Sequence, residues 1–548
     1  MSSISRLKTM MIDPHLNSSK NDLFLSFIFI LCLYISLNFL YTVCFENIDD
    51  ILISMRIHGY GIAKYPTDFL SASNTFISHI SRLFPTVLGI PGYIIFTAVL
   101  LFTSCWMIFY CLLRMNVPLI ISIFTSILIC LRPILLPQFT VTAGLLALNG
   151  ILFLCLYRKY NDCLFLLFAG LFACLSFLLR SQQFFFVLLL SLPLFLSKKI
   201  WFDGRFRAFI LFTIIVCSVL GAMNYRVKNS PDIKKFSEFH YSMIPIFDYG
   251  YTHRLISRQD ILEKYGYSVN DVQLLGSFFY VTDKYTDTKT ITKMINELGP
   301  ISERIVIEEG LAALRAFSDS SVLPLVFLGL ILFILLPLSS RQRLTIVACF
   351  LLISVAFFFI GSMGRPGKLR IYFPVAVMIL LLPLMLAHFD TLKSYKRLFV
   401  ISTLSFVCCI FMVIHMHGIA TRNALWSREV QQDIKILPAN EPIFSWGGNF
   451  PYNAAYPVFE KWQKFPKIDI RQFGGYTSAP FDKATSVPGF GFLDLMRKQY
   501  GVLVVDAGDR CEKFLKPFAQ EWQLNCHVQC EHQGIIRPNR NITRVRCE

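Results

Sequence analysis

Charge is scarce in this chain. Only 16% of its 548 residues are Asp, Glu, Lys or Arg, against roughly 25% in a soluble protein. That is too little to solvate the three or four soluble domains the length would otherwise suggest. Disorder is excluded as well, because 55% of the residues are hydrophobic and 53 are Phe. No internal repeat is visible, which excludes collagen and coiled coils. Acidic residues are missing from the interior of the long apolar runs, where coupled transporters usually keep ionisable groups. No two halves of the chain match, another departure from transporter design. Paired C-x-x-C motifs are also absent, which argues against zinc. The string from Gly364 to Lys368 lacks the spacing and the Ser or Thr of a nucleotide phosphate loop.

Long apolar runs are what the chain has in plenty. A membrane-spanning helix needs about 20 apolar residues. Windows 23–44, 92–113, 117–136, 138–157, 163–179, 183–197, 207–223, 322–338, 344–361, 372–388 and 398–417 meet or approach this length. The first is too long for a cleavable signal peptide and no small-x-small site follows it. The expected fold is therefore a polytopic α-helical membrane protein of about 11 transmembrane helices.

The charge balance orients it. With the N-terminus 1–22 in the cytoplasm, every short inner loop is basic, and the inner segments hold fifteen basic against five acidic residues. This is the positive-inside pattern. The transmembrane domain is then 23–417, with outer loops 45–91 and 224–321. A C-terminal domain, 418–548, lies outside the inner (plasma) membrane, in the periplasm. About +10 of the formal net charge of +17 is a topology signal and the large outer segments are nearly neutral, so no nucleic-acid partner is expected. The remaining five charges are all basic: Arg132, Arg180, Arg365, Lys368 and Arg370, with no acidic residue beside them in sequence.

The tail alternates short β-branched runs with helical stretches. Strands are expected at Pro442–Trp446 and Gly501–Asp506, and helices at 451–463, 491–499 and 511–524, giving a small α/β domain. Four of the sixteen Cys lie in this tail, Cys511, Cys526, Cys530 and Cys547. An even number outside the cell reads as two disulfides with three possible connectivities. Segment 301–316 has the pattern of an amphipathic helix along the membrane interface.

Two groups of residues carry chemistry. Asp49 and Asp50 follow the first span within a few residues. One of them can cap the helix that follows. A carboxylate facing a cavity can instead accept a proton from a hydroxyl nucleophile, or hold a divalent cation. Arg180, Arg365, Lys368 and Arg370 fall at the outer interface, where lipid phosphate lies; Arg binds phosphate as a bidentate fork and Lys as a point charge. Together these suit transfer of a group from a polyprenyl-phosphate carrier to a hydroxyl.

This layout resembles the GT-C superfamily of integral membrane glycosyltransferases: an Asp-Asp pair just after the first span, a large outer loop midway and a soluble outer tail. More narrowly, Asn47-Ile48-Asp49-Asp50 with His58-Gly59 and Pro66 resembles the first loop of bacterial O-antigen glucosyltransferase-like proteins, and Gln138 to Ala143 is similar to a recurrent segment there. The resemblance implies an inverting transferase with a polyprenyl-phosphate-linked sugar donor, a glycan or glycolipid acceptor in the cell envelope, such as lipopolysaccharide, and membrane lipid around it. It maps the base or metal ligand onto Asp49 and Asp50. An O-antigen polymerase or ligase, using a diphosphate donor, and a flippase-type transporter are the competing readings.

Overall fold

The computed structural model describes residues 14–548 apart from 64, 71–72, 197–200, 300–302, 365–366, 390–394, 436, 439–440, 461–467, 474–490 and 525. The chain is a mostly helical, multi-pass membrane protein with a small α/β domain at its C-terminal end. Among the described residues eight helices are long and apolar enough to cross a membrane, or nine if the pair Val306–Ser318 and Leu323–Leu335, bent by 84°, forms one broken span. That bend turns the amphipathic segment away from the apolar one. Of the segment 301–316 expected to be helical, residues 301–302 lie outside the described residues and Glu303–Arg315 is helical. Helix Leu119–Leu135 is apolar but only 17 residues long.

The expected spans 163–179 and 183–197 form one stretch, Cys163–Phe195, broken at Arg180, whose φ of −159° and ψ of 97° are extended. A straight helix of 33 residues would be about 50 Å long. This one doubles back. The Leu194 carbonyl accepts from Arg158 Nη1 at 2.8 Å, beside the residues where the stretch begins. Ala169 and Ala173 of the first limb also line the same 290 Å³ apolar cavity as Leu188 and Phe195 of the second. Doubling back is also what chain parity needs. Asn74 Nδ2 donates to the Leu220 carbonyl at 3.0 Å and Thr75 N–H to Asn224 Oδ1 at 3.3 Å. Loops 45–91 and 224–321 therefore leave the same end of the bundle, which requires an even number of crossings between them.

Helix packing in lipid relies on close approach of small residues. Gly329 sits where a Cβ would be 2.7 Å from the Ile379 carbonyl oxygen, and Gly144 where it would be 2.5 Å from the Pro374 ring. Helix Tyr395–Ile434 has 40 residues, about 60 Å, twice the hydrocarbon thickness of roughly 30 Å. The expected border at 418 thus falls inside a continuous helix. Its far end braces the α/β domain: Asp433 and Glu429 pair with Arg537, and Ser427 Oγ donates to the Ala454 carbonyl at 2.8 Å.

That domain is a five-stranded sheet of order β2-β1-β3-β5-β4. β1 (Pro442–Ser445) lies parallel to β2 (Asp469–Gln472) and to β3 (Val502–Asp506), while β4 (Val528–Ile536) and β5 (Arg540–Cys547) form an antiparallel hairpin against β3. β3 is buried along its whole length, as a central strand with both faces covered should be. The expected helix 451–463 shortens to Tyr452–Ala455, with 461–463 outside the described residues, and the other two appear as Phe492–Met496 and the turns of Cys511–Glu521. Cys511 is bonded to Cys530 and Cys526 to Cys547. The 224–321 loop is not a separate unit, because its Phe279, fully buried, packs against Trp446, Phe473, Phe492 and Phe518 of the tail.

Candidate active site

Asp49 and Asp50 open the helix Asp49–His58, which has Ile48 at its N-cap and no side-chain cap. The Asp49 N–H instead donates to Asn47 Oδ1 at 3.1 Å. Neither carboxylate is therefore needed as a cap, and helical geometry sends the adjacent side chains in different directions.

Asp50 is 1% exposed. Its Oδ1 accepts from the Tyr93 hydroxyl at 3.1 Å and its Oδ2 from the Phe139 N–H at 3.3 Å. Phe139 begins the helix Phe139–Tyr160, so the carboxylate lies at a helix N-terminus, a favourable place for negative charge. Burial nonetheless pushes the Asp50 carboxyl up to about 7, with the charge of Asp49 adding to it, against the Phe139 N–H, the Tyr93 hydroxyl and Arg370. The space beside Asp50 is about 10 Å³, room for roughly one water.

Asp49 faces the other way. It is partly exposed, and its Oδ2 pairs with Arg370 Nη1 at 2.6 Å. Arg370 in turn lines a cavity of about 400 Å³ together with Arg180, Lys368, Lys228, His240 and Asp248. Three of the expected phosphate ligands are thus brought together, whereas Arg365 lies outside the described residues. Gln183 Nε2 and Arg370 Nε are buried at this cavity without a hydrogen-bond partner among the described residues. Arg180 stacks 5.2 Å over the Phe139 ring, which ties the cavity to the residue whose N–H holds Asp50. Burial and the neighbouring Lys228 push His240 down to about 4, against Asp248. The imidazole is neutral at pH 7.

The expectation of five unpaired cations is corrected. Arg132 is 2% exposed and forked onto Glu46 at 2.9 and 3.1 Å, with its guanidinium 5.3 Å over the Phe373 ring. Lys368 meets Asp248 at 3.2 Å, and Arg370 meets Asp49. The acidic partners come from distant parts of the chain; for Arg132, the buried cation among them, leaving the charge without one would be costly. Sequence reasoning also missed Lys228, His240 and Tyr93, none of which stands out locally. The fit to a divalent cation is poor: among the described residues no three His, Cys, Asp or Glu side chains form a set able to hold a metal ion. Both Asp50 oxygens are engaged by N–H or O–H donors, and Asp49 by a guanidinium.

The raised Asp50 carboxyl has a consequence for stability. An unfolded Asp titrates near roughly 3.9, and Asp50 in the fold near 7. Between these values the unfolded chain holds fewer protons than the native one, so Asp50 makes stability fall as pH rises from about 4 to 7. Asp50→Asn removes that slope. Thermal unfolding in detergent should show the variant gaining on the wild type across this window and levelling off above pH 7. A pH-independent difference between the two would contradict it.

His58 and Gly59 hold the first loop in place by local contacts. His58 Nε2 accepts from the Tyr93 N–H at 3.1 Å, and Gly59, at φ 70°, would place a Cβ 2.4 Å from Pro66 Cδ.

No protein-family model and no curated protein matches the chain. Among solved structures it is similar to the crystal structure of ArnT from Cupriavidus metallidurans in the apo state, with 12% identity and a TM-score of 0.42 over 94% of this chain and 97% of that one.

Proposed function

We propose that the chain is a GT-C-type glycosyltransferase that moves a sugar from a polyprenyl-phosphate carrier to a lipid-linked or envelope glycan on the outer face of the plasma membrane. The observation that carries this reading is the Asp49–Arg370 pair at the edge of a cavity that also holds Arg180, Lys228 and Lys368. The basic inner loops favour placing that cavity on the outer side.

In this reading the donor phosphate enters the cavity and is met by Arg180, Lys228 and Lys368. It competes with Asp49 for the Arg370 guanidinium, and exchange of that ion pair frees the carboxylate. The acceptor hydroxyl then attacks the anomeric carbon. Asp49 takes the hydroxyl proton as the new C–O bond forms. The bond from the anomeric carbon to the phosphate oxygen breaks, its electron pair stays on that oxygen, and the cations stabilise the charge that develops there. Single displacement inverts the anomeric centre. Asp49 afterwards loses its proton to solvent.

Arg180→Met tests the cavity assignment. It removes a charged phosphate contact and should raise KM for the polyprenyl-phosphate sugar by roughly ten- to a hundredfold, with the acceptor KM unchanged. An unaltered donor KM would move the phosphate elsewhere.

A further inference from the structure

Nothing in the local sequence forces the helix break at Arg180. Sharp breaks sit mostly at Pro, at Gly or at bulges, and Leu178-Leu179-Arg180-Ser181-Gln182-Gln183 has neither Pro nor Gly. Non-helical backbone at membrane depth is tolerated where it is buried in protein or lines a water-filled cavity. Arg180 does line one, the 400 Å³ cavity beside Arg370.

With φ −159° and ψ 97°, Arg180 has the extended conformation of an N-cap residue, and a second helix, 181–191, starts behind it. The first N–H groups of a helix find no carbonyl within that helix, and they form the positive end of its dipole. This end opens on the cavity, because Arg180, Gln182, Gln183 and Phe186 all line it. Helix starts favour Ser, Thr, Asp or Asn at the cap and acidic residues in the first turn. Here the cap is a cation, and Ser181 to Phe184 includes no acidic residue. Lys228, Lys368 and Arg370 add to the positive charge of the same cavity. Asp248 and Asp49 answer Lys368 and Arg370.

A buried side chain points the same way. Gln183 is 3% exposed, and its Nε2 has no hydrogen-bond partner among the described residues, although buried polar groups are almost always paired. The absence of a side chain at Gly144 leaves room for this amide, since a Cβ there would lie 3.2 Å from Gln183 Nε2. Helix-start N–H groups, an amide nitrogen and a guanidinium are all donors. A cation would be repelled, and a neutral hydroxyl would leave the positive charge unmatched. An oxyanion meets all of them. Discontinuous spans elsewhere present half-helix N-termini to anionic groups in this way, and phosphate is the oxyanion of the lipid interface.

We propose that the N-terminal turn of 181–191 is a phosphate seat. The Gln182 and Gln183 N–H groups and the Gln183 amide hold the phosphate oxygens, and Arg180 supplies charge beside them. That the phosphate belongs to the sugar donor rests on the transferase reading above, whereas the seat itself does not.

Full-length protein in phosphatidylcholine nanodiscs is titrated with farnesyl phosphate and, separately, with inorganic phosphate, and binding is read by calorimetry. Wild type binds. Tighter binding of farnesyl phosphate assigns the seat to a lipid-linked phosphate and equal binding to a free one; both support it. Gln183→Leu, similar in size but without the donor, weakens binding roughly tenfold. Gln182→Glu sets a carboxylate in the same turn from an exposed position, where it favours the helix, and it weakens binding at least as much. A Gln183→Leu protein that folds and binds as wild type does leaves the phosphate to the side-chain cations alone and overturns the proposal. If that variant does not fold, unchanged binding by Gln182→Glu overturns it instead, and absence of binding by wild type does so in either case. Binding with the expected losses, combined with no sugar transfer by wild type from a prenyl-phosphate donor, refutes the transferase reading and leaves the seat standing.

Discussion

Asp49→Asn reaches the membrane at wild-type levels and lowers glycosyl transfer by roughly two to four orders of magnitude, the range for loss of a positioned general base. The fall is in kcat. Were Asp49 only an ion-pair partner of Arg370, to which it is bound at 2.6 Å, its loss would shift the donor KM and leave kcat intact. Asp50→Asn is the internal control, because Asp50 is sealed beneath Tyr93 and the Phe139 N–H with room for about one water. Its hydrogen-bond partners, Tyr93 and Phe139, do not line the 400 Å³ cavity, whereas Arg370, the partner of Asp49, does. Replacement of Asp50 should therefore leave more activity than that of Asp49. The reverse order, or a kcat for Asp49→Asn near the wild-type value, removes Asp49 from the chemistry.

Glu46→Ala destabilises the protein by about 3–5 kcal/mol, the usual cost of stranding a buried charge. Arg132 keeps its guanidinium, 2% exposed, with no carboxylate to face. The same pair fixes the loop that carries Asp49, since the Glu46 N–H also donates to the Pro137 carbonyl at 3.2 Å. Transfer activity should consequently fall along with stability. The double variant Glu46→Leu with Arg132→Met replaces the pair by apolar groups and should recover much of the loss, as buried pairs so replaced often do. Unfolding in detergent by denaturant gives both values. A Glu46→Ala cost below about 1 kcal/mol, the level of an exposed pair, or a double variant no better than the single, would contradict the role assigned to this pair.

The membrane architecture was legible because apolar length and loop charge are local quantities. The doubling back at Arg180 was readable too, since Arg180-Ser181-Gln182 interrupts two apolar runs. What the sequence hid is pairing over distance. Arg132 and Glu46 are 86 residues apart, Lys368 and Asp248 120, and Arg370 and Asp49 321. A search for acidic neighbours along the chain finds none of these partners, and so overcounts the free cations. The β4–β5 hairpin escaped for another reason. One face carries Gln529, Glu531, Arg544 and Arg546, His532 on the opposite face is exposed too, and a bulge between His532 and Gly534 breaks the alternation, leaving no clean period of two. Asp49 and Asp50 were equivalent in sequence. Only burial separates them, one facing the cation-lined cavity through Arg370 and the other sealed under a helix N-terminus.

The most direct measurement is transfer by purified protein in proteoliposomes, supplied with the envelope glycan acceptor and one radiolabelled sugar on either polyprenyl monophosphate or polyprenyl diphosphate. Wild type should label the glycan from the monophosphate donor with inversion at the anomeric carbon, and Asp49→Asn should not. Labelling from the diphosphate donor alone, or equal labelling by Asp49→Asn, would contradict the account.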